Sequence, residues 1–243
     1  MKPSKPIRSE LGWSTPDRIT VRGKDLPNEI LGHLNLGDMA FLELTGRAPN
    51  ANESKLFNAM VVTLVEHGIT PSALAARLTY LGAPEALQAA VASGLLGLGS
   101  VFVGSMEGVA RLLFEAIAKN KTASQVIAEN PRIPGLGHPV HKPLDPRSVR
   151  LFELARETGF YGRYCQLMEA VSKEKKLTLN ATGAIGALAC ELGLDWKIVK
   201  GLGVMARAIG LVGHILEETR QPMAEEIWHR IEDEAAAHLR SKK

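Results

Sequence analysis

The chain has 243 residues, of which 45% are hydrophobic and 23% charged, which is ordinary for a folded protein and excludes disordered, collagen-like and low-complexity classes. The net charge is +3, with acids interspersed among the bases except at the tips (Lys2, Lys5, Arg8 and 240–243), so nucleic acid is not an expected partner. Cys165 and Cys190 are the only cysteines and form no CxxC or CxxH, which argues against a disulfide framework and a metal site and makes a reducing cytoplasm the simplest location.

In chain order, the first element is a strand at 18–22, where Ile19 and Val21 alternate with polar residues. Almost every segment after residue 25 carries helical spacing instead. His33 falls in an early polar turn and reads as structural. Leu56, Met60 and Leu64 recur four apart within 53–68 and make one apolar face, closed by Gly68. Thr70 before Pro71 is an N-cap followed by proline at the first helical position, opening a helix to about 81. Ala83-Pro84 reads the same way and opens a small-residue helix to Gly94, suited to close packing.

The apolar stretch at 89–103 is broken by Ser93 and glycines and falls short of the roughly 20 residues of a membrane span. The charged, proline-containing start lacks the apolar core of a signal peptide. Neither a membrane nor export is expected. Segment 106–119 places Val109, Leu112, Leu113 and Ile117 on one side, with Lys119 and Lys121 at the negative end of the helix dipole. Thr122 and Gln125 then form a capping box. Asp145-Pro146 starts a helix with Val149, Phe152 and Ala155 as its buried face and Gly159 after it. Asp195 caps a long helix over 196–219, and Pro222 opens a last, charged one carrying His229 and His238 toward solvent. The expected fold class is all-α with at most a short N-terminal β-ribbon, and no fixed-period repeat is present.

Two segments break the helical pattern. Segment 130–146 holds five prolines, two glycines and two histidines, too rigid for a linker and of the kind that carries function. The glycines and serines of 96–105 suit either a ligand or close helix packing. Gly201, Gly203 and Ala206 match GxGxxA, but no strand precedes them, so a dinucleotide site is rejected. No GxxxxGK[ST], HExxH or GxSxG occurs. His67, His138, His141 and His214 remain as acid–base or anion-binding candidates, although taken singly each is better explained as a satisfied buried histidine.

Ile133-Pro-Gly-Leu-Gly-His138-Pro-Val-His-Lys-Pro-Leu-Asp145-Pro-Arg147 resembles the PGxGHxVxxxxDPR signature of the citrate synthase superfamily. Glu66-His67-Gly68 resembles its DHG/DHE segment, and Arg207-Ala-Ile-Gly210-Leu-Val-Gly-His214 its R-x-x-G-x-x-x-H helix in the ATP-citrate lyase and citryl-CoA lyase branch. The likeness spans about 15–220. It implies a helical large domain (1–103 and 193–243), a small domain (104–192) carrying the His138 loop, and a homodimer, for which the small-residue helix near 83–97 suits close packing. The implied ligands are an acyl-CoA and a di- or tricarboxylate, with a coenzyme A thioester as substrate and no tightly bound cofactor.

The family makes or breaks a carbon–carbon bond beside a thioester carbonyl through an enolate. By resemblance His138 handles the hydroxyl or carbonyl of the acid, His67, Arg147 and Arg207 bind carboxylates, and Pro134, Gly135, Leu136 and Gly137 form the loop on which CoA lies. Forked guanidinium pairing is the reason arginine suits that task. Two positions depart from the pattern. Val103 stands at the family histidine that donates to the thioester oxygen. Thr182, in Asn180-Ala-Thr-Gly183, stands at the aspartate that moves the α-proton, and its hydroxyl has no accessible pKa for that work. Glu107 is the nearest carboxylate in sequence, and the helix dipole alone accounts for it as a first-turn acid. Two readings follow: a citryl-CoA lyase-like enzyme with altered proton transfer, or a catalytically reduced paralogue that binds a CoA thioester or polycarboxylate without normal turnover.

Overall fold

Apolar residues three and four apart dictate helices, and helices fill most of the molecule. The structure, a computed structural model, describes residues 6–240; Lys2, Lys5, Lys242 and Lys243 of the basic tips lie outside them. Near the start, β1 (Gly12–Ser14), β2 (Ile19–Val21) and β3 (Lys24–Asp25) form an antiparallel meander in that order, with Trp13 opposite Thr20 and Val21 opposite Lys24. Only the central strand was expected. Its partners are three and two residues long, too short for an alternating pattern to register.

Helices α1 (Leu36–Thr45) and α2 (Ala51–Val65) follow. Asn50 and Glu53 close a capping box on α2, and Arg47 grips Glu53 with two hydrogen bonds of 2.8 and 2.6 Å. Phe41 meets Phe57 edge-on at 5.3 Å, while Leu56 and Met60 are fully buried. Helix α3 (Pro71–Gly82) begins at Thr70 as expected. Its neighbour α4 (Leu87–Leu96) does not begin at Pro84: the Ala86 N–H is taken by the Ala83 carbonyl at 3.0 Å, and the helix opens after that turn without a side-chain cap. Gly94 is required there, since a Cβ would stand 2.8 Å from the Ser72 carbonyl oxygen of α3.

The larger part of the core gathers around α9 (Ala181–Glu191), whose residues from Gly183 to Cys190 are all buried. Helices α5 (Ser105–Ala118), α7 (Pro146–Thr158) and α8 (Arg163–Lys175) pack on it, and α6 (Ala123–Glu129) packs on α8. A Cβ on Gly186 would stand 2.6 Å from Val109 Cβ, so the small residues of α9 set how closely α5 approaches. On α7 the buried stripe includes Ser148, Leu151, Phe152 and Ala155, whereas Val149, expected inside, is 39% exposed. Ser148 turns inward instead because its hydroxyl donates to the Leu179 carbonyl at 2.7 Å.

Asp195 caps a short 3-10 turn, Trp196–Ile198, rather than the long helix itself; α10 (Val199–Arg220) starts after it, and α11 (Ala224–Arg240) ends the described chain. The stretch Trp196–Arg220 is long and apolar enough by composition to cross a membrane. Here it serves as a core helix, with Leu202, Ala206, Leu211 and Ile215 buried and α2, α3, α4 and α5 packed against it. Gly203 belongs to the rejected GxGxxA run, and its lack of a side chain makes room for Val103 and Met106.

Candidate active site

The proline-rich segment is built into the core through its glycines. Gly135 and Gly137 have φ of 79° and 84°, values that favour glycine. A Cβ on Gly135 would lie 2.5 Å from Gly183 Cα. Backbone bonds stitch the segment to the strand-like run before α9: Gly137 N–H to the Thr178 carbonyl at 2.7 Å, Asn180 N–H to the Gly135 carbonyl at 3.1 Å, and a bridge between Leu136 and Leu179. Asp145, fully buried, caps α7 and accepts from Ala181 N–H at 3.1 Å. It also holds Arg147 through Nε at 3.0 Å and Nη2 at 2.8 Å. Burial raises the Asp145 pKa, but these bonds outweigh it and leave the carboxyl below its usual range.

The same segment fixes His138. Its Nδ1 accepts from the Val140 and His141 amides at 3.1 and 2.9 Å, so the neutral ring carries its proton on Nε2. Burial, then His141 and Arg147, lower its pKa and keep it neutral. Nε2 lies 3.2 Å from Arg147 Nη2. Two donors therefore face each other, an arrangement that calls for an oxygen beside them that accepts from both. His141 stacks on the His138 ring at 4.4 Å.

These groups open onto a cleft of about 350 Å³. Its lining brings together six of the residues singled out from sequence, His67, Val103, His138, Arg147, Thr182 and Arg207, along with Gly137. Pro134, Gly135 and Leu136 do not line it: Pro134 packs near Gly108, and the other two lie against Gly183 and Leu179. Leu64, read from its spacing as a core residue, faces the cleft, and Glu107 does not. No Asp or Glu contributes to the lining. Apolar Leu98, Val101, Phe102 and Val103 form one part of the wall.

Arg207 on α10 is 8% exposed, and its Nε and Nη1 have no hydrogen-bond partner. Burial lowers its pKa, opposed by the charge of Glu66, yet a guanidinium stays protonated. Glu66 itself is held in place. It accepts from His67 and Gly68 amides at 2.8 and 2.6 Å and contacts His214 Nε2 at 3.1 Å. His214 lies behind the cleft, where its Nδ1 faces the fully buried Arg77 at 3.0 Å. Arg77 pairs with Glu217 and with Glu218 at 2.6 Å. Glu218 also receives the Met223 and Ala224 amides that start α11. None of Arg77, Glu217 or Glu218 was singled out from sequence, because only the fold brings them to His214.

Sequence reasoning also passed over Ser105 and Asn180. Ser105 Oγ lies 3.0 Å from Thr182 Oγ1, which donates to Asn180 Oδ1 at 2.7 Å. The N-cap role of Asn180 was the available signal. A second groove beyond His138 is lined by Lys142, Lys173 and Lys176 together with Thr178. Cys165 and Cys190 are free and buried, and burial pushes the Cys190 thiol up to about 12, so neither is a ready nucleophile. Among the described residues no cluster of three His, Cys, Asp or Glu side chains is placed to hold a metal ion.

The chain resembles proteins of known type. It is 28% identical over 230 residues to a probable ATP-citrate synthase of Dictyostelium discoideum, covering 84% of this chain and 37% of that one. It thus spans little more than a third of that relative's length. It superposes on the citryl-CoA lyase of Hydrogenobacter thermophilus with a TM-score of 0.82 and 35% identity, covering 88% of this chain and 87% of the other. The fold also matches ATP citrate lyase of Methanosaeta concilii, solved as a D541A mutant with (3S)-citryl-CoA, with a TM-score of 0.74 and 23% identity over 90% of this chain and 40% of that one. The family model for the citrate synthase C-terminal domain matches residues 27–230, and the chain belongs to the citrate synthase family.

Proposed function

We propose that the protein is a citryl-CoA lyase-type enzyme that breaks or makes the carbon–carbon bond beside a CoA thioester, acting on citryl-CoA or a related carboxylated 3-hydroxyacyl-CoA. The carrying observation is the buried, unpartnered Arg207 guanidinium in the cleft that also holds the His138–Arg147 donor pair. A carboxylate in the cleft would pair with the Arg207 guanidinium, whose charge only Glu66 opposes in the protein. The hydroxyl or keto oxygen of the acid belongs to one side of His138 Nε2 and Arg147 Nη2, within hydrogen-bond reach of both. In the cleavage direction the hydroxyl proton passes to water in the cleft, since His138 Nε2 already carries its own, and the carbon–carbon bond breaks. A 2-oxo acid forms, and the electron pair passes to the thioester enolate, whose carbon then takes one proton from water. The groove with Lys142, Lys173 and Lys176 supplies cations for the phosphates of the CoA arm.

The likeness to the citryl-CoA lyase over most of both chains supports this reading. A division into a large unit (1–103 and 193–243) and a small unit (104–192) is part of the same proposal, because the cleft draws Arg207 from one and His138, Arg147 and Thr182 from the other. So is a homodimer: Leu87 on α4 and Ile209, Val212 and Leu216 on α10 are each 46–50% exposed, an apolar surface suited to a second copy. The carboxylate-free lining, with Thr182 tied into a hydroxyl chain, favours a second reading as a binding protein without normal turnover.

Thermal melting with acetyl-CoA, citryl-CoA, oxaloacetate and citrate, followed by an assay of thioester loss, separates the two. Stabilisation with release of acetyl-CoA from citryl-CoA is expected. Stabilisation without release selects the binding protein, and no stabilisation by any of the four overturns both.

A further inference from the structure

The cleft contains a donor that neither the acid-binding groups nor the family pattern explains. Five hydroxyls line it. Thr63 donates to the Ala59 carbonyl at 2.8 Å, Ser72 to the Gly94 carbonyl at 2.6 Å, and Thr182 to Asn180 Oδ1 at 2.7 Å. Thr70 accepts from Ala73 N–H as the cap of α3. Ser105 ends a chain whose direction is forced. Asn180 donates its own amide hydrogen to the Gly137 carbonyl at 2.8 Å and receives Gly183 N–H on Oδ1, so Thr182 must donate to that oxygen. Ser105 then donates to Thr182 at 3.0 Å or, less favourably, to the Phe102 carbonyl at 3.3 Å. Its proton, like that of Thr70, which only accepts, is free to turn toward a new acceptor at small cost, and of the two only Ser105 stands beside Val103 at the start of α5.

The place suits negative charge. Ser105 is the first residue of α5, a helix of 14 residues to which Gly104 offers no side-chain cap. The Val103 carbonyl takes the Met106 N–H at 3.3 Å and Glu107 lies in the first turn. Glu107 does not face the cleft, so the positive end of the dipole still acts beside the hydroxyl. Arg207, more than nine-tenths buried and lacking partners, shows independently that this cleft is built for an anion. No carboxylate lines the cleft to oppose charge building up there.

We propose that the Ser105 hydroxyl, at the uncapped start of α5 and backed by the Thr182–Asn180 chain, is the hydrogen-bond donor to the thioester oxygen of the bound acyl-CoA. This rests on the lyase reading above. When the carbon–carbon bond breaks, its electron pair delocalises onto that oxygen. Ser105 then donates a hydrogen bond that strengthens as charge develops, and its proton stays on Oγ. Val103 next to it is a hydrocarbon and cannot do this. Thr182 keeps a part as the acceptor that parks the Ser105 hydrogen while the cleft is empty.

The test uses the full chain with [1-13C]acetyl-CoA in infrared difference spectroscopy and citryl-CoA in steady-state kinetics. In the wild type the bound thioester carbonyl band moves to lower frequency than in free acetyl-CoA. In Ser105→Ala it returns toward the free position while affinity changes less than about threefold. The kcat for citryl-CoA cleavage falls about 10²–10³-fold at nearly constant KM, as loss of one oxyanion donor does. Ser105→Thr keeps the shift, and Ser105→Cys, a weaker donor, falls between. A band unmoved by Ser105→Ala or Ser105→Cys, or an activity loss carried by KM, overturns the assignment to Ser105. Acetyl-CoA bound to the wild type with an unshifted carbonyl overturns it too and leaves the lyase reading standing. Absence of both acetyl-CoA binding and citryl-CoA cleavage in the wild type overturns the lyase reading itself.

Discussion

Replacing Arg207 by methionine should make the ligand-free protein more stable and remove its affinity for the acid. The side chain is 8% exposed with Nε and Nη1 unpartnered, and a buried donor left without an acceptor costs about 1–3 kcal/mol, more when charged. Attraction to Glu66 returns part of this. Methionine keeps most of the length and packing of arginine without the charge, so a net gain of about 1–3 kcal/mol is expected. At about 2–4 °C per kcal/mol for a chain of this size, Tm rises by about 2–12 °C. A ligand at a hundred times its Kd stabilises by about 2.7 kcal/mol, and in the methionine variant the stabilisation by oxaloacetate or citrate should vanish. Arg207→Lys keeps the charge but loses the fork, so its ligand-induced shift should shrink while its ligand-free Tm stays near that of the wild type. Melting curves followed by circular dichroism, with and without ligand, check both. A ligand-free Arg207→Met protein less stable than the wild type, and still stabilised by the acid, would refute the reasoning.

Arg77→Met strands the buried Glu218 and should cost about 3–5 kcal/mol, seen as a large drop in the midpoint of urea unfolding; a loss under 1 kcal/mol would show that the Arg77–Glu218 pair is not what ties α3 to α10. Asp145 gives a pH dependence: its folded pKa lies below the unfolded value of about 3.9, so its stabilisation is fully present above that value and is lost as pH falls through the folded one. Between pH 5 and pH 2 the Tm of Asp145→Asn should therefore fall less steeply than that of the wild type, and equal slopes would count against the bonds to Arg147 and Ala181. Gly135→Ala puts a Cβ 2.5 Å from Gly183 Cα at a φ of 79° and should lift the His138 segment off α9, lowering Tm and abolishing the thermal shift with acetyl-CoA; a variant with wild-type melting and binding would contradict that packing.

What the sequence disclosed followed from whether a signal was local. Thr70, Thr122 and Asp145 announce their helices because each cap lies within three residues of the amides it satisfies. Helix α8 gave no such notice: Gly162 has no side chain, and the first-turn amides of Tyr164 and Cys165 are satisfied by Glu191 at 2.7 and 3.1 Å, from the far end of α9. Helix α9 is buried on nearly every side, so it has no polar face and no amphipathic period to detect. Val149 looked internal by type and spacing, and Phe152 and Ala155 of the same expected face are buried, but Ser148 takes the inner position in that first turn because its hydroxyl reaches the buried Leu179 carbonyl. The cleft was legible wherever a motif carried it, in His67, His138, Arg147, Thr182 and Arg207. The Arg77–His214–Glu66 network was not, since its members stand far apart in sequence and meet only when α2, α3 and α10 pack together.

The rigidity of the 130–146 segment and its chemistry have one cause. His138 is fixed as an Nε2 donor because two backbone amides occupy Nδ1, and Arg147 is fixed beside it because Asp145 holds two of its nitrogens while Ala181 and the cap of α7 hold Asp145. Neither side chain can turn to relieve the 3.2 Å approach of two donors, so an oxygen that accepts from both is favoured there. Arg207 adds unpartnered donors on the facing helix. Dipoles already aimed at their target need no reorganisation when charge arrives, and that is the condition under which hydrogen bonds stabilise a transition state most. The prolines and left-handed glycines that look in sequence like an awkward connector are what the site requires. They hold unsatisfied donors at the mouth of α9 against a fold that would otherwise turn them away.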